Sequence, residues 1–262
     1  MATVQQWLAL GDQLYAKGVD VFNGCEVMDS PAGTRDPKVV ALTLLARTLG
    51  HFQAAVQLLE SKHVVESRTL TRCCWENLFW IAALAKKGDE FVKAMELDDA
   101  ANRLKRANSL LRWAEKQDQP LDFIEKLEAF YTGMTEKHGK PGTIQHRKAA
   151  IDGGVGDGYQ LYRELSGDSA HPSAVSLSRH VTWGGPENNQ IFTVHAQPTL
   201  DVREVEDTLE VLCSAVLGVI VAANETIGGP AAGEPFVKLA DDFKAMSNAN
   251  KVVREAIKGT AE

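Results

Sequence analysis

Two long segments that are apolar on nearly every face of a helix constrain this chain's fold most strongly. Residues 38–60 and 66–86 both show helical periodicity, and the second contains an almost unbroken apolar run from Cys73 to Leu84. A helix that is hydrophobic all round has to be covered by other elements. The sequence therefore predicts a structure in which these two helices are central.

The rest of the chain also reads mainly as helix. Apolar residues recur at helical spacing in four further long segments, and only residues 190–195 alternate in the manner of a strand. The pattern predicts an all-α multi-helix bundle with one short extended segment or hairpin near residues 188–196. The four further helical segments are residues 4–22, 89–117, 199–226 and 236–257, and another helix opens at Pro120.

Two stretches rich in proline and glycine, residues 30–37 and 228–235, interrupt the helical pattern. They predict an N-terminal helix within residues 1–30, a main helical bundle domain over 37–227 and a C-terminal helix over 235–262. The last helix is expected to pack either on this bundle or on a second copy of the chain.

The charge balance argues against a surface that is basic overall. The chain has 28 basic and 35 acidic residues, a formal net charge of -7. Nucleic-acid binding would therefore need a local basic patch. The densest basic segment lies in the helix predicted over residues 89–117, and it is either a solvated face or a docking surface for a phosphate backbone.

Cysteine usage and hydropathy predict a cytoplasmic protein that is not associated with a membrane. The four cysteines show no CxxC spacing, and the longest apolar run, residues 209–223, is too short to cross a bilayer and contains Glu210. Glu60 and His63 form one ExxH motif, but the second motif of a di-iron bundle is missing. We predict no metal and no cofactor.

Three groups of polar residues interrupt the apolar helical surfaces. Charged side chains on such surfaces need partners, because burying an unpaired charge is costly. We predict that the three groups meet in one pocket, which is either a functional site or a buried structural lock. The groups are Thr43, Arg47 and His51; Arg68, Arg72 and Glu76; and Tyr162, Ser166 and His171.

The segment from Tyr162 to Ser173 has a chemistry of its own. Pro172 disfavours helical geometry at His171, so we expect this histidine just beyond the end of a helix. The helix C-terminus favours the charged form of the imidazole, which could act as a general acid or pair with Glu76. Ser166, Asp168 and His171 are the residue types of a hydrolase triad, but they lie too close together and lack a GxSxG elbow.

The glycine-rich residues 153–158 follow no strand and carry no Walker lysine, so we predict a flexible connection.

Two motifs together resemble a bacterial helical family that is known only as a domain of unknown function. They are RxxxE, from Arg72 to Glu76, and YxxLSxxxxHP, from Tyr162 to Pro172, and the resemblance covers residues 38–182. The Ser-to-His segment of that family is similar in turn to the HEPN superfamily, helical proteins that include metal-independent ribonucleases, toxins and phage-defence effectors. HEPN nucleases carry an arginine a few residues before a histidine; here seven residues separate Arg163 from His171.

The resemblance implies a HEPN-like protein of defence or toxin type, with endoribonuclease activity, RNA or a nucleotide as its partner, and a homodimeric state. RNA cleavage without a metal needs a base, an acid and a cation that stabilises the developing charge. The alternative is a non-catalytic helical module that binds a nucleotide or a partner protein, in which the same residues are structural. The predicted catalytic residues are His171, Arg72, Glu76, Arg47 and His51, and the predicted substrate-binding residues are Ser166, Tyr162 and Arg68.

Overall fold

Helices dominate the fold. A computed structural model describes residues 2–25, 30–117, 119–167, 172–185, 191–198, 201–229 and 234–259. Within these ranges the prediction of an all-α multi-helix bundle is confirmed. The helices are α1 (Val4–Asn23), α2 (Pro37–Glu60), α3 (Val64–Lys87), α4 (Asp89–Lys116), α5 (Leu121–His138), α6 (His146–Asp152), α7 (Tyr159–Leu165), α8 (Ala174–Ser178), α9 (Val202–Ile227) and α10 (Glu234–Gly259), with short 3₁₀ turns at Gly33–Arg35 and Gly156–Gly158.

The core lies where α2, α3 and α9 pack together, with α1 against α2 and α9. Trp7 of α1, Leu45 of α2, Phe79 of α3 and Val216 of α9 are each fully buried in one continuous apolar cluster. The helices that are apolar on most faces are thus the ones surrounded by others, as their sequences predict. By length and composition alone α2 could cross a membrane, and a core helix of a bundle has the same properties.

Local capping chemistry sets several helix ends. The Asp36 side chain accepts a hydrogen bond from Lys38 N–H at the start of α2, with Pro37 in the first turn. The Asp201 side chain accepts from Arg203 N–H at the start of α9, and Gly228 ends that helix in the left-handed conformation. These residues satisfy backbone groups that a helix end leaves unpaired.

Helices α4 and α5 form an arm on one side of the bundle. α4 has 28 residues, a length of about 42 Å, and α5 packs along it. α5 has no buried residue, and several large apolar side chains of the arm, such as Trp113, are exposed.

A hairpin is present, and its first strand begins at Val181, before the predicted residues 188–196. Strand β1 (Val181–Gly184) pairs antiparallel with β2 (Ile191–Val194), and Trp183 faces Phe192. Helix α8 ends at Ser178, and β1 starts at Val181. A short strand needs such a pairing partner.

The glycine-rich residues 153–158 are a packed connection and not the flexible one we predicted. A Cβ at Gly153 would lie 2.7 Å from the Ala82 side chain, and one at Gly158 would lie 2.1 Å from the Trp75 ring. The glycines therefore allow α6 and α7 to approach α3 closely.

Helix α10 packs on its own bundle, the first of the two placements considered. Phe236 is buried, and Phe243 makes an edge contact with the Trp7 ring, with 5.8 Å between their centroids. The buried Asn250 side chain accepts a hydrogen bond from Ala2 N–H and donates one to Glu210. These polar contacts connect α10 to α9 and to the start of the chain.

Candidate functional site

A polar network joins α3 to α7 around Arg72. Arg72 Nε donates to Ser166 Oγ at 2.9 Å, and Nη2 donates to Glu76 Oε1 at 2.6 Å and to the Tyr162 hydroxyl at 3.4 Å. The Tyr162 hydroxyl in turn donates to Glu76 Oε1 at 3.1 Å. The RxxxE and YxxLS motifs therefore meet through direct side-chain hydrogen bonds.

The network holds Arg72 in its charged form. Burial by itself lowers the pKa of Arg72, but the hydrogen bond to Tyr162 and the negative charge of Glu76 outweigh burial and raise the pKa. The side chains of Arg72 and Glu76 are only 23% and 21% exposed, so their charges compensate each other. Losing one partner would leave the other without its counter-charge.

A cavity of about 600 Å³ opens beside this network, and Glu76 belongs to both. This volume lies within the range of small-molecule sites. Arg47 of α2 lines the cavity, and its guanidinium makes no ion pair or hydrogen bond with the described residues. The lining residues are Thr34, Val39, Val40, Thr43, Leu44, Arg47, Glu76, Asn77, Trp80, Met95 and His146.

His146, the first residue of α6, stands between the network and the cavity. Its Nε2 lies 3.9 Å from Glu76 Oε1, and its ring lies against Tyr162 with 5.4 Å between the centroids. Nδ1 of His146 and Nε1 of Trp80 are buried, and neither has a hydrogen-bond partner in the described part of the chain. Because an unsatisfied buried polar group costs free energy, this wall is suited to a ligand that supplies hydrogen bonds.

His51 lies one helical turn beyond Arg47 on α2. Burial lowers the pKa of His51, the positive charge of Arg47 lowers it further, and the charge of Glu76 acts in the opposite direction. The imidazole is therefore neutral at neutral pH. The positive charge that α2 brings to the cavity comes from Arg47.

The structure brings most of the predicted site residues together. Arg72, Glu76, Tyr162 and Ser166 are in contact, and Arg47 lines the cavity that Glu76 also lines. His51 is not part of the cavity lining, but it is close enough to interact with the charges of Arg47 and Glu76.

The structure describes contacts of Arg68 with another helix, and it does not describe His171. Arg68 Nη1 lies 3.4 Å from the Thr208 hydroxyl and 3.9 Å from Glu204 Oε1, both on α9. Although Arg68 and Arg72 are four residues apart on α3, these contacts of Arg68 reach α9, whereas Arg72 is hydrogen-bonded to Tyr162 of α7. His171, predicted as catalytic, lies outside the described residues, and so does Asp168.

His146 is the contributor that sequence reasoning missed. In the sequence it follows the glycine- and proline-containing residues 139–142, and neither helical periodicity nor a motif marks it. Its position depends on α6 packing against α3, a contact between residues far apart in sequence.

The residues of this site are suited to binding an anion and to moving a proton. Arg47 supplies a cation, Glu76 a carboxylate and His146 an imidazole, all at one cavity. Among the described residues, no group of three or more His, Cys, Asp or Glu side chains is arranged to hold a metal ion.

More than half of the chain matches one family model. Residues 38–190 match a family of unknown function (DUF5677). The chain belongs to this family. The predicted kinship with a domain of unknown function is thereby confirmed, and the matched range contains α2, α3, α6 and α7, the helices that carry the site. Searches of curated proteins and of solved structures find no match.

Proposed function

We propose that the protein is a HEPN-like enzyme that cleaves RNA without a metal ion, and that the scissile phosphate binds in the cavity between α2, α3 and α6. One observation carries the proposal. Arg47, without a partner among the described residues, and His146, beside the carboxylate of Glu76, line the same cavity.

The charge balance supports binding of a phosphate. Glu76 is already paired with Arg72 at 2.6 Å, so the charge of Arg47 is left for a ligand. A guanidinium presents its N–H donors in a fork that matches phosphate oxygens. The cavity volume of about 600 Å³ is also suitable for a nucleotide-sized ligand.

In the proposed reaction, His146 takes the proton of the ribose 2′-hydroxyl as that oxygen attacks phosphorus. Glu76 stabilises the imidazolium that forms, and Arg47 stabilises the charge that develops on the phosphate oxygens. The bond from phosphorus to the 5′ oxygen breaks, and an acid returns a proton to that oxygen. The sequence predicts His171 for this last role. The products are a 2′,3′-cyclic phosphate and a 5′-hydroxyl.

The test is cleavage of end-labelled RNA by purified protein in the presence of a chelator. Wild type should cleave, and the folded variants Arg47→Ala, His146→Ala and His171→Ala should be slower by at least about 10²-fold, since that is a typical contribution of general acid–base catalysis. Arg203→Ala and His63→Ala are matched controls, because neither residue lines the cavity, and both should retain activity. If wild type cleaves none of the RNAs tested, the proposed enzyme activity is overturned.

A specific observation favours a second candidate, a non-catalytic module that binds a nucleotide. Arg72 has its donors directed to Ser166, Glu76 and Tyr162, an arrangement typical of a structural lock. Nucleotide binding that depends on Arg47, without cleavage, would identify this module. The defence or toxin role, a partner protein, the homodimer and the cytoplasmic location stay predictions.

A further inference from the structure

A stripe of exposed basic residues runs along the outer part of α4. Lys105, Arg112 and Lys116 are all exposed, and their spacing places them within about 40° of one another around the helix axis. They extend over about 16 Å along the axis. We call Lys105, Arg112 and Lys116 the α4 stripe.

The α4 stripe points away from α5. Ala107 and Ala114, the buried residues of this part of α4, lie on the opposite side of the helix by the same spacing. Ala107 shares a pocket with Leu127 and Phe130 of α5. The stripe is therefore on the face that α5 leaves open.

The α4 stripe carries three positive charges without an acidic partner among the described residues. None of its three side chains forms an ion pair with a described residue, whereas Arg103, one turn away, is paired with Asp99 at 2.8 Å. Three uncompensated cations on one face stand out in a chain whose formal net charge is -7. Such a face fits a polyanion.

An aromatic ring adjoins these cations. Trp113 is 50% exposed, and it shares a shallow pocket with the stripe residues and with Asn108 and Ser109. An exposed indole is costly to hydrate and provides a surface on which an unpaired base can stack. Basic side chains beside an exposed aromatic ring are typical of proteins that bind single strands.

The face that carries Trp113 leads back to the cavity. Met95 of α4 lines the cavity, and Trp113 follows it by 18 residues, five helical turns, so both lie on the same side of α4 about 27 Å apart. Asp98, near this path, accepts hydrogen bonds from Ile144 N–H and from the Asn102 side chain, which moderate its charge.

We propose that the α4 stripe and Trp113 bind single-stranded RNA and guide it toward the cavity. This inference rests on the proposed function, since it takes the strand that enters the cavity to be RNA. The stripe residues bind successive phosphates, and Trp113 stacks on a base between them. Duplexes, in which bases are already stacked, bind more weakly.

The test is fluorescence anisotropy with a labelled single-stranded RNA long enough to reach from the cavity to Lys116, titrated at several salt concentrations. The triple variant Lys105→Gln, Arg112→Gln, Lys116→Gln should lose at least about tenfold in affinity and reduce the salt slope by about 2. Trp113→Ala should lose about fivefold to a hundredfold. The control Arg203→Gln, Lys238→Gln, Lys251→Gln removes the same charge from exposed sites off the arm and should bind nearly as wild type.

If the stripe variant and the control lose RNA affinity equally, the proposed role of the α4 stripe is overturned, because the losses would then depend only on the overall charge. Full affinity for duplex DNA would overturn the assignment to single strands. A mononucleotide, too short to reach the stripe, tests the cavity separately, and the stripe variant should bind it as wild type does. If the mononucleotide does not bind, or binds equally well to Arg47→Ala, the proposed function is overturned. If wild type and the stripe variant bind the single-stranded RNA with equal affinity, this inference is overturned.

Discussion

Replacing Tyr162 with phenylalanine removes one oxygen from the centre of the polar network. The hydroxyl donates to Glu76 Oε1 at 3.1 Å and accepts from Arg72 Nη2 at 3.4 Å. The ring itself is only 8% exposed and packs against Phe79, with 5.7 Å between the centroids. These ring contacts remain in the variant, so Tyr162→Phe isolates the contribution of the hydroxyl.

The expected loss follows from the two hydrogen bonds. Hydrogen bonds to charged groups contribute about 1.5–3 kcal/mol. The contact at 3.4 Å is long, and the Glu76 side chain is 21% exposed, so water compensates for part of the loss. We expect the free energy of unfolding to fall by about 2 kcal/mol. In a domain of this size each 1 kcal/mol lowers the midpoint temperature by about 2–4 °C, so the midpoint should fall by about 4–8 °C.

Urea unfolding of wild type and Tyr162→Phe at neutral pH measures this difference, provided that the m-value is unchanged. Tyr131→Phe is the matched control, because the Tyr131 hydroxyl on α5 has no hydrogen-bond partner among the described residues, and it should change stability by less than about 0.5 kcal/mol. A double-mutant cycle with Glu76→Gln should show a coupling of at least about 0.5 kcal/mol. A loss no larger than that of the control, or zero coupling, would refute the reasoning.

Two further predictions concern packing and pH. Gly158→Ala should lower the free energy of unfolding, measured with urea, by about 2–3 kcal/mol, because the new Cβ would lie 2.1 Å from the Trp75 ring. The control Gly133→Ala places its Cβ in open space and should raise the free energy of unfolding by up to about 1 kcal/mol. Equal effects of the two changes would contradict the prediction. The folded-state pKa of His51 lies below the ordinary histidine value of 6.5, chiefly because of burial, so the unfolded chain binds the proton more readily and stability falls as pH falls through 6.5 and below. Between about pH 7.5 and pH 5.5, wild type should therefore lose more stability than His51→Gln in the same assay, and parallel losses would show that His51 makes no such contribution.

Much of the helical architecture follows from local signals. The side chains of Asp36 and Asp201 each accept a hydrogen bond from the backbone N–H two residues later, so the starts of α2 and α9 can be predicted from neighbouring residues. The apolar surfaces of α2 and α3 required burial, and their central position follows from it. Strand β1 was missed because a short exposed strand depends on its partner, and β2 begins seven residues after β1 ends.

The candidate site divides in the same way. The spacing of Arg72 and Glu76 on α3, and of Tyr162 and Ser166 on α7, follows from helical periodicity, so the sequence alone determined that each pair shares a helical face. Which faces meet is decided by the tertiary structure, since the contacts join residues about 90 positions apart. His146 reaches Glu76 only because α6 packs on α3, and Arg68 reaches Glu204 only because α9 also packs on α3. Periodicity determines the direction of a side chain around its own helix, whereas its partner depends on how the helices pack, which no local pattern specifies.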